Sequence, residues 1–299
     1  MQKIKSLIYV CLMFSSVSIA STQLPSPPEK VLSPYQAEST KKLSSAQELI
    51  SFYKNRAYSL DTLQSTQKLP QIFTENLPHN LNTLSTHEKT SAFIRLLLPT
   101  LKLVNEQILD VRSQLVTLST KSISDWSDKE SNWVNTLYDS YGVKNKDINQ
   151  LLLHIDIIPL GMALAQGIDE SGWGTSYFAV AGNNLYGEHL PARGGKYLTT
   201  SNGKVKVAAF DGLYQATASY MHNLNSTRAY KDLWQLRSRL RAQNNLTGYE
   251  LVSALSHYST RGESYVENLQ ALIKYHQLDA FDHVDFKKES AINIRFMDK

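Results

Sequence analysis

The sequence predicts a mostly α-helical protein of the α+β class, with one small β-hairpin set among helices. Segments with apolar residues at helical spacing occupy most of the chain from residue 45 onward. Only one stretch, residues 197–208, alternates apolar and polar residues around a turn signal, as a hairpin does. The 299 residues are enough for a substantial core in one or two domains.

Residues 1–20 have the layout of a cleaved secretory leader, with two lysines, an apolar run and small residues before Ser21. The apolar run is shorter than the roughly 20 residues that a membrane span needs, so an uncleaved anchor is the less favoured alternative. We therefore expect a periplasmic or secreted protein with no membrane span in the mature chain. Cys11 is the only cysteine and leaves with the leader. The four prolines in residues 21–44 favour a flexible tether.

Residues 45–144 are predicted to form a helical segment that packs on the next domain. A first helix is expected over residues 45–66. Ser85 with Glu88 has the spacing of a capping box and begins a long helix, in which Pro99 is expected to produce a kink or a split. The buried stripe of that helix consists of Phe93, Ile94, Leu97, Leu101, Val104, Ile108, Val111 and Leu115.

A second capping box, Ser127 with Glu130, begins a shorter helix, and another helix is predicted over residues 147–155. Asn202-Gly203 is a strong turn signal for the hairpin. Further helices are predicted over residues 213–224, 230–241, 248–255 and 264–275. We place the second domain at residues 145–280 and expect a loosely held tail over 281–299.

The stretch Pro159 to Gly174 is the one most suggestive of chemistry. Pro159 suits the start of a helix, and the glycines after Glu170 stop it. One face of this helix is apolar and is predicted to be core. The other carries small residues with Gln166 and ends in Glu170, so we expect it to be open to a polymer chain lying in a groove.

A helix that ends in a carboxylate beside a small β-flap resembles the lysozyme-like arrangement, in which a sugar chain lies in a groove between an α lobe and a small β lobe. The negative end of the helix dipole and the like charge of Asp169 both favour the protonated form of Glu170. A protonated carboxyl is what a glycosidase needs to donate a proton to the leaving oxygen.

Two motifs together resemble the glucosaminidase domain of bacterial peptidoglycan hydrolases in glycoside hydrolase family 73. They are ALAQGIDESGWGTS at residues 163–176 and NNLYG at residues 183–187. The chain is most similar to the Bax-like branch, on YMHNLN at residues 220–225, RAY at 228–230 and RGESYV at 261–266. The resemblance implies a lysozyme-like fold and an enzyme that acts on peptidoglycan glycan strands without a cofactor.

The resemblance places Glu170 at the position of the catalytic acid and Tyr265 at that of a tyrosine lining the site. Trp173 and Tyr186 could stack on sugar rings or belong to the core. Asn184 is a candidate for substrate binding, although the Asn-Asn pair could simply form a turn. Gln166, on the open face of the helix, is the fourth candidate for substrate binding.

The chain departs from many relatives in the flap, where a second carboxylate often precedes the second strand. Residues 199–203 contain no acid. Glu188 or Asp211 could then activate the water, or the 2-acetamido group of the substrate could attack its own anomeric carbon, which we slightly favour. Glu188 is our candidate for a second catalytic carboxylate. Two alternatives stay open: a lytic transglycosylase, and a wall-binding protein with weak or no catalysis.

Other chemistries have little support in the sequence. The eight histidines show no metal-ligand spacing, and no phosphate-binding loop or nucleophile elbow is present, so we expect no metal and no cofactor. The formal charge of +4 is too small an excess of basic residues to indicate a nucleic-acid partner, and we expect none. Arg237, Arg239 and Arg241 are interpreted as a solvated face, with contact to an anionic wall polymer as the lesser reading.

Overall fold

A computed structural model of the protein describes residues 23–191 and 194–297. Helices dominate these residues, which confirms the predicted mostly α-helical class with a small β-hairpin. The leader predicted over residues 1–20 lies outside the described residues. The helices are α1 (Ala46–Asn55), α2 (Leu60–Thr66), α3 (Thr86–Ser119), α4 (Asp128–Ser140), α5 (Ile148–His154), α6 (Leu160–Ser171), α7 (Tyr177–Gly182), α8 (Leu213–Ser226), α9 (Lys231–Ala242), α10 (Gly248–Leu251) and α11 (Glu263–His276). The strands are β1 (Ala37–Leu43), β2 (Lys68–Leu69), β3 (Ile72–Thr74), β4 (Tyr197–Thr199), β5 (Lys206–Ala208), β6 (Asp285–Phe286) and β7 (Ala291–Phe296).

Helix α3 is the scaffold of the N-terminal half, and all eight residues of its predicted stripe are buried. Ser85 and Glu88 form the predicted capping box at its start, and Ser127 and Glu130 form the second one at α4. The predicted helix over residues 45–66 is instead two helices, because the backbone turns left-handed between them and Ser59 caps α2.

Pro99 does not split α3, which is continuous through it. Proline has no N–H to donate to the carbonyl of Arg95 one turn earlier. The hydroxyl of Tyr58 donates to that carbonyl instead, at 3.0 Å. The freed acceptor therefore stays paired inside the core, and the helix needs no break at this point.

Helix α6 runs through the centre of the molecule, packed against α3, α10 and α11. Its small face is not open, contrary to expectation: Ala163, Gln166 and Gly167 are all buried. A Cβ atom at Gly167 would lie 3.3 Å from Leu97 of α3 and 3.5 Å from the ring of Tyr186. The small residues thus allow protein, rather than substrate, to approach this helix closely.

The C-terminal residues fix the start of α6. Pro159 offers no side chain to cap the helix. The carboxylate of Asp282 accepts a hydrogen bond from the Gly161 N–H at 2.9 Å and another from the Gly248 N–H of α10 at 3.3 Å. Burial raises the pKa of Asp282 to about 7. One residue of the predicted tail therefore ties together the beginnings of two helices.

The expectation of a loose tail over residues 281–299 is wrong for its described part. Strand β7 is the centre of a three-stranded parallel sheet, with β1 on one side and β3 on the other, and β6 pairs with β2. Ile292, Ile294 and Phe296 are buried. The charged residues between these strands obscured the alternation of apolar and polar residues in β7. The strands that pair with β6 and β7 lie more than 200 residues away in the sequence.

The flexible tether predicted over residues 21–44 also needs correction. Seven of its residues, Ala37–Leu43, form β1. The carbonyls of Pro25, Pro28 and Pro34 accept hydrogen bonds from Trp133, Tyr214 and Gln107, at 2.8, 3.2 and 3.2 Å respectively. A proline-rich backbone leaves its carbonyls free, and here α3, α4 and α8 supply donors to them.

The predicted hairpin is present: β4 and β5 pair antiparallel, with Asn202 and Gly203 in the turn. The predicted solvated arginine face of α9 is corrected at Arg237, which is fully buried. Its guanidinium donates to the carbonyls of residues 153, 154, 156 and 157 and to Asn225. Arg241 pairs with the buried carboxylate of Asp156, so this cluster joins α5, the residues that follow it, α8 and α9.

Candidate active site

The end of α6 is formed by three successive residues with left-handed backbone. Gly172, Trp173 and Gly174 have φ of 57°, 61° and 72°. The Ser171 hydroxyl accepts a hydrogen bond from the Gly174 N–H at 2.8 Å and donates to the carbonyl one turn back. The helix therefore ends at Ser171, one residue after Glu170, and the carboxyl is held in its last turn.

Trp173 lies away from the groove and braces this turn. Its ring packs edge-on against Phe93 of α3, with centroids 6.1 Å apart, and against His276 of α11 at 4.9 Å. A Cβ atom at Gly174 would lie 2.8 Å from the Phe93 ring. The predicted sugar-stacking position of Trp173 is therefore corrected: the indole fastens the motif to the N-terminal helical segment.

The Asn-Leu-Tyr-Gly turn that follows α7 brings a second carboxylate toward the first. The buried Asn184 side chain donates to the carbonyls of Glu188 and Ala208, each at 2.9 Å, and accepts from the Glu188 N–H at 3.0 Å. Asn184 thus joins the turn to the flap strand β5. Its amide is occupied by backbone groups, so its predicted contact with substrate is corrected to a structural one.

Glu170 and Glu188 are the carboxylates among the described residues that line a groove of about 940 Å³. The groove lies between the end of α6, the flap, α8 and the residues before α11. Tyr186, His222 and Tyr258 also line it. Its size and its mixture of aromatic and polar groups suit a sugar chain.

Burial raises the pKa of Glu170, and the like charge of Asp169 raises it further. A hydrogen bond from Tyr265 and the positive charge of Arg261 act in the opposite direction, and the net pKa stays raised. The sequence predicted this direction from Asp169 and the helix dipole. The largest cause, burial, depends on the walls of the groove and has no signal in the local sequence.

Arg261 limits the influence of Asp169. It forms an ion pair with that carboxylate, and Asn268 of α11 donates to the same carboxylate at 2.7 Å. Tyr265, four residues after Arg261, carries the hydroxyl that faces Glu170. The RGESYV motif therefore acts on both carboxylates at the end of α6, one through each of these residues.

Gln166 and Tyr265 are fully buried beneath Glu170. The Gln166 amide donates to the Tyr265 hydroxyl at 3.0 Å, and the Tyr220 hydroxyl of α8 donates to the Gln166 carbonyl oxygen at 2.7 Å. The predicted contact of Gln166 with substrate is corrected, because the amide is enclosed by protein. The ring of Tyr186 covers Tyr220 in a parallel stack with centroids 3.7 Å apart.

Glu188, before the flap, and His222, on α8, both line the groove. The carboxylate of Glu188 accepts a hydrogen bond from the Ser219 hydroxyl of α8 at 3.0 Å. His222, one turn further along α8, lies 3.5 Å from the carboxylate of Glu29 in the proline-rich segment. Ser140 of α4 also donates to Glu29, at 3.1 Å. The N-terminal residues therefore reach the wall of the groove.

The structure brings Glu170 and Glu188 to the groove, with Tyr265 directly behind Glu170. Tyr186 lines the groove but is only 2% exposed and stacks on Tyr220, so its ring belongs to the core. Asp211, the other acid considered for activating water, is exposed at the base of the flap and pairs with Lys196. Ser219 and Tyr220 were missed by sequence reasoning. The helical spacing of residues 219–223 on α8 could have revealed them, because it places some of these positions on the face toward the groove and others on the face toward the core.

Two further observations concern metal binding and membrane-spanning helices. Within residues 23–191 and 194–297, no group of three or more histidine, cysteine or acidic side chains is placed to hold a metal ion. In the same described part of the chain, no helix is both long and apolar enough to cross a membrane.

The described residues that line the groove lie within the range that a protein-family model matches. The family model for Glucosaminidase, described as mannosyl-glycoprotein endo-beta-N-acetylglucosaminidase, matches residues 145–278. Protein bax of Escherichia coli (strain K12) is 32% identical over 197 residues, covering 63% of this chain and 70% of that protein. The catalytic domain of the autolysin Auto from Listeria monocytogenes matches 57% of this chain and 97% of its own, with 15% identity and a TM-score of 0.33. A score of that size does not establish a shared fold.

Proposed function

Because the chain belongs to the Bax-like branch of glucosaminidase-domain proteins, we propose that it hydrolyses peptidoglycan. The bond cleaved is the β-1,4 bond that follows N-acetylglucosamine, and Glu170 is the general acid. The observation that carries this proposal is the half-buried carboxyl of Glu170, placed at the end of α6 in a groove and with a raised pKa.

The acid role follows from the surroundings of Glu170. Burial keeps a population of the carboxyl protonated at a pH where an exposed glutamate is ionised. The protonated carboxyl donates its proton to the glycosidic oxygen as the C–O bond breaks. Tyr265 then stabilises the carboxylate that remains, because its hydroxyl faces Glu170.

The group that assists attack at the anomeric carbon is either Glu188 or the substrate itself. Glu188 lines the same groove as Glu170, which supports it as a base that takes a proton from water. The flap strands carry no acid in the loop between them, which supports substrate assistance by the 2-acetamido group. Under substrate assistance, Glu188 orients the acetamido N–H instead of activating water.

Product analysis tests the proposal. Purified sacculi are digested with the protein, and the soluble fragments are separated and identified by mass spectrometry, with a Glu170→Gln digest as the blank. We expect fragments that end in a reducing N-acetylglucosamine. Anhydro-muramic ends would instead identify a lytic transglycosylase, which also needs a single acid. Binding to sacculi without any fragments would support the wall-binding alternative.

The two mechanisms differ in their response to Glu188→Gln. If Glu188 activates water, this variant loses about 10²- to 10⁴-fold in kcat. If the acetamido group attacks, the loss is smaller, and substrates whose acetamido group is replaced by hydroxyl are not cleaved by either protein. The anomeric configuration of the first product separates inversion from retention independently of rate.

The proposed substrate agrees with the predicted export of the chain, because peptidoglycan lies outside the cytoplasmic membrane. N-terminal sequencing of the protein recovered from the periplasm or medium tests this. We expect a mature chain that begins at Ser21.

A further inference from the structure

Three buried side chains form a hydrogen-bonded chain beneath Glu170. Tyr220 of α8, Gln166 of α6 and Tyr265 of α11 are each no more than 1% exposed. The Tyr220 hydroxyl donates to the Gln166 carbonyl oxygen, and the Gln166 amide nitrogen donates to the Tyr265 hydroxyl. The Tyr265 hydroxyl in turn faces the Glu170 carboxyl as a hydrogen-bonding partner.

The rings that carry the two hydroxyls are held in place by stacking. Tyr220 lies parallel to Tyr186, with an interplanar angle of 5°. Tyr265 lies parallel to Tyr258 at 4°, with centroids 5.4 Å apart. Stacking fixes the positions of the two hydroxyl oxygens. Only the direction in which each hydrogen bond is donated can therefore change.

A glutamine amide has a donor end and an acceptor end, so the chain has two possible directions. In the observed direction Tyr265 receives an N–H from Gln166, and its own O–H is available to Glu170. In the reverse direction Tyr265 would donate to the Gln166 oxygen and would offer Glu170 only a lone pair. A protonated Glu170 would then donate its proton to Tyr265, away from the groove.

We propose that Tyr220 and Gln166 are positioning residues that fix the direction of this chain, so that Tyr265 always donates to Glu170. Donation to one carboxyl oxygen leaves the acidic proton on the other oxygen, which faces the groove and the glycosidic bond. After the proton has passed to the leaving oxygen, the same O–H stabilises the carboxylate. The inference rests on the proposed function, because it takes Glu170 as the acid.

Substitution of Tyr220 or Gln166 leaves the other titratable groups near Glu170 in place. Asp169 is adjacent on α6 and paired with Arg261. Tyr258 lies beside Glu170 before α11, and Glu188 lines the same groove. His189, Lys196 and His222 line the groove further away.

The test uses Tyr220→Phe and Gln166→Met in the full chain, with soluble peptidoglycan glycan fragments as substrate. Each variant should lower kcat about tenfold, the effect of losing one buried hydrogen bond at the reacting group, and should change KM less than about twofold. The basic limb of the pH profile should move to higher pH, because the ionised Glu170 loses a committed donor. The double variant should be no slower than the slower single variant.

Tyr58→Phe is the matched control, since it also removes a buried tyrosine hydrogen bond but lies outside the groove. It should leave kcat per folded molecule and the pH profile unchanged. The proposal is overturned if Tyr220→Phe keeps the wild-type kcat and basic limb. It is also overturned if the loss of activity in that variant only follows the folded fraction measured by circular dichroism.

A carboxyl ¹³C titration of Glu170 reads the same interaction without turnover and separates this proposal from the proposed function. A higher Glu170 pKa in Tyr220→Phe supports the chain, and an unchanged pKa overturns it. If Glu170→Gln keeps full activity while this titration still shifts, the proposed function fails, although the effect of the chain on the carboxyl stands.

Discussion

The surroundings of Glu170 and of Arg237 show two ways in which this protein buries a charge. Both side chains lie where several helices meet. Arg237 is fully buried, with five oxygen acceptors around its guanidinium, and burial lowers its pKa only to about 10, so it remains charged. Glu170 has one wall of protein and one open side, and its pKa is raised.

This difference in burial and in the number of hydrogen-bond partners corresponds to a difference in role. The partners of Arg237 are mostly backbone carbonyls at the end of α5 and directly after it, so its charge holds the chain in one path. The carboxyl of Glu170 keeps an oxygen that faces the groove, which leaves its proton available for transfer. A fully satisfied charge stabilises the fold, and an incompletely satisfied one performs chemistry.

The largest expected effect on stability comes from Arg237→Met. This change leaves four backbone carbonyls and the side-chain oxygen of Asn225 without their donor, and should lower the free energy of unfolding by about 3–5 kcal/mol. Urea denaturation at 25 °C measures it. Arg239→Met, at an exposed position on the same helix, is the control and should change stability by less than about 0.5 kcal/mol. Equal effects of the two variants would contradict the structural role of Arg237.

Gly187→Ala should act on the groove rather than on the fold. Gly187 has φ of 68°, and a Cβ atom there would lie 3.6 Å from a Glu170 carboxyl oxygen. We expect about a 10²-fold loss of kcat/KM, because a methyl group takes the space beside the acid. Gly203→Ala has the same φ of 68° but no atom within 4 Å of the added carbon. It should share the backbone strain and keep the activity; a similar loss in both variants would attribute the effect to strain alone.

Tyr58→Phe tests a buried hydrogen bond from an uncharged donor, for comparison with the charged donor Arg237. The Arg95 carbonyl, freed by Pro99, would lose its donor, and the free energy of unfolding should fall by about 1–3 kcal/mol. In a Pro99→Ala background the helix N–H again reaches that carbonyl, so the same change should cost less. A double-mutant cycle by urea denaturation measures the difference. Equal costs in both backgrounds would exclude the proposed link.

These sites also show how far the sequence could predict the structure. The capping boxes, the apolar stripe of α3, the hairpin turn and the position of Glu170 at a helix end follow from local patterns. The partners of Arg237, the cap supplied by Asp282 and the pairing of β1 with β7 do not, because each joins residues that are far apart in the sequence. Composition alone suggested solvated or flexible segments at all three.

The candidate site divides in the same way. Glu188 follows the Asn-Asn turn and lines the groove, as its position beside a flap suggests. The ring of Tyr186, in the same turn, is buried against Tyr220. Gln166 and Trp173 were expected at the substrate but are held by Tyr220, Tyr265, Phe93 and His276. A helical wheel gives the direction of a side chain, but it does not say whether protein or solvent occupies that side.

The smallest effect is the pH dependence of stability that Glu170 adds. Its folded pKa is raised above the unfolded value of about 4.5, so the folded state binds the proton more tightly. The wild type should therefore lose stability relative to Glu170→Gln as the pH rises from about 4.5 through the folded pKa, and the difference should be constant above it. Thermal unfolding of both proteins across this range measures it; a difference of the opposite sign would contradict the raised pKa.

The release of reducing ends from sacculi by Glu170→Gln tests the central claim most directly, when it is measured beside the wild type and beside thermal unfolding at the same pH. We predict that the initial rate falls by about 10³-fold or more and that the unfolding temperature does not fall, because the amide removes a carboxyl that is costly to ionise in this position. A rate within about tenfold of the wild type, from a folded protein, would contradict the assignment of Glu170 as the acid.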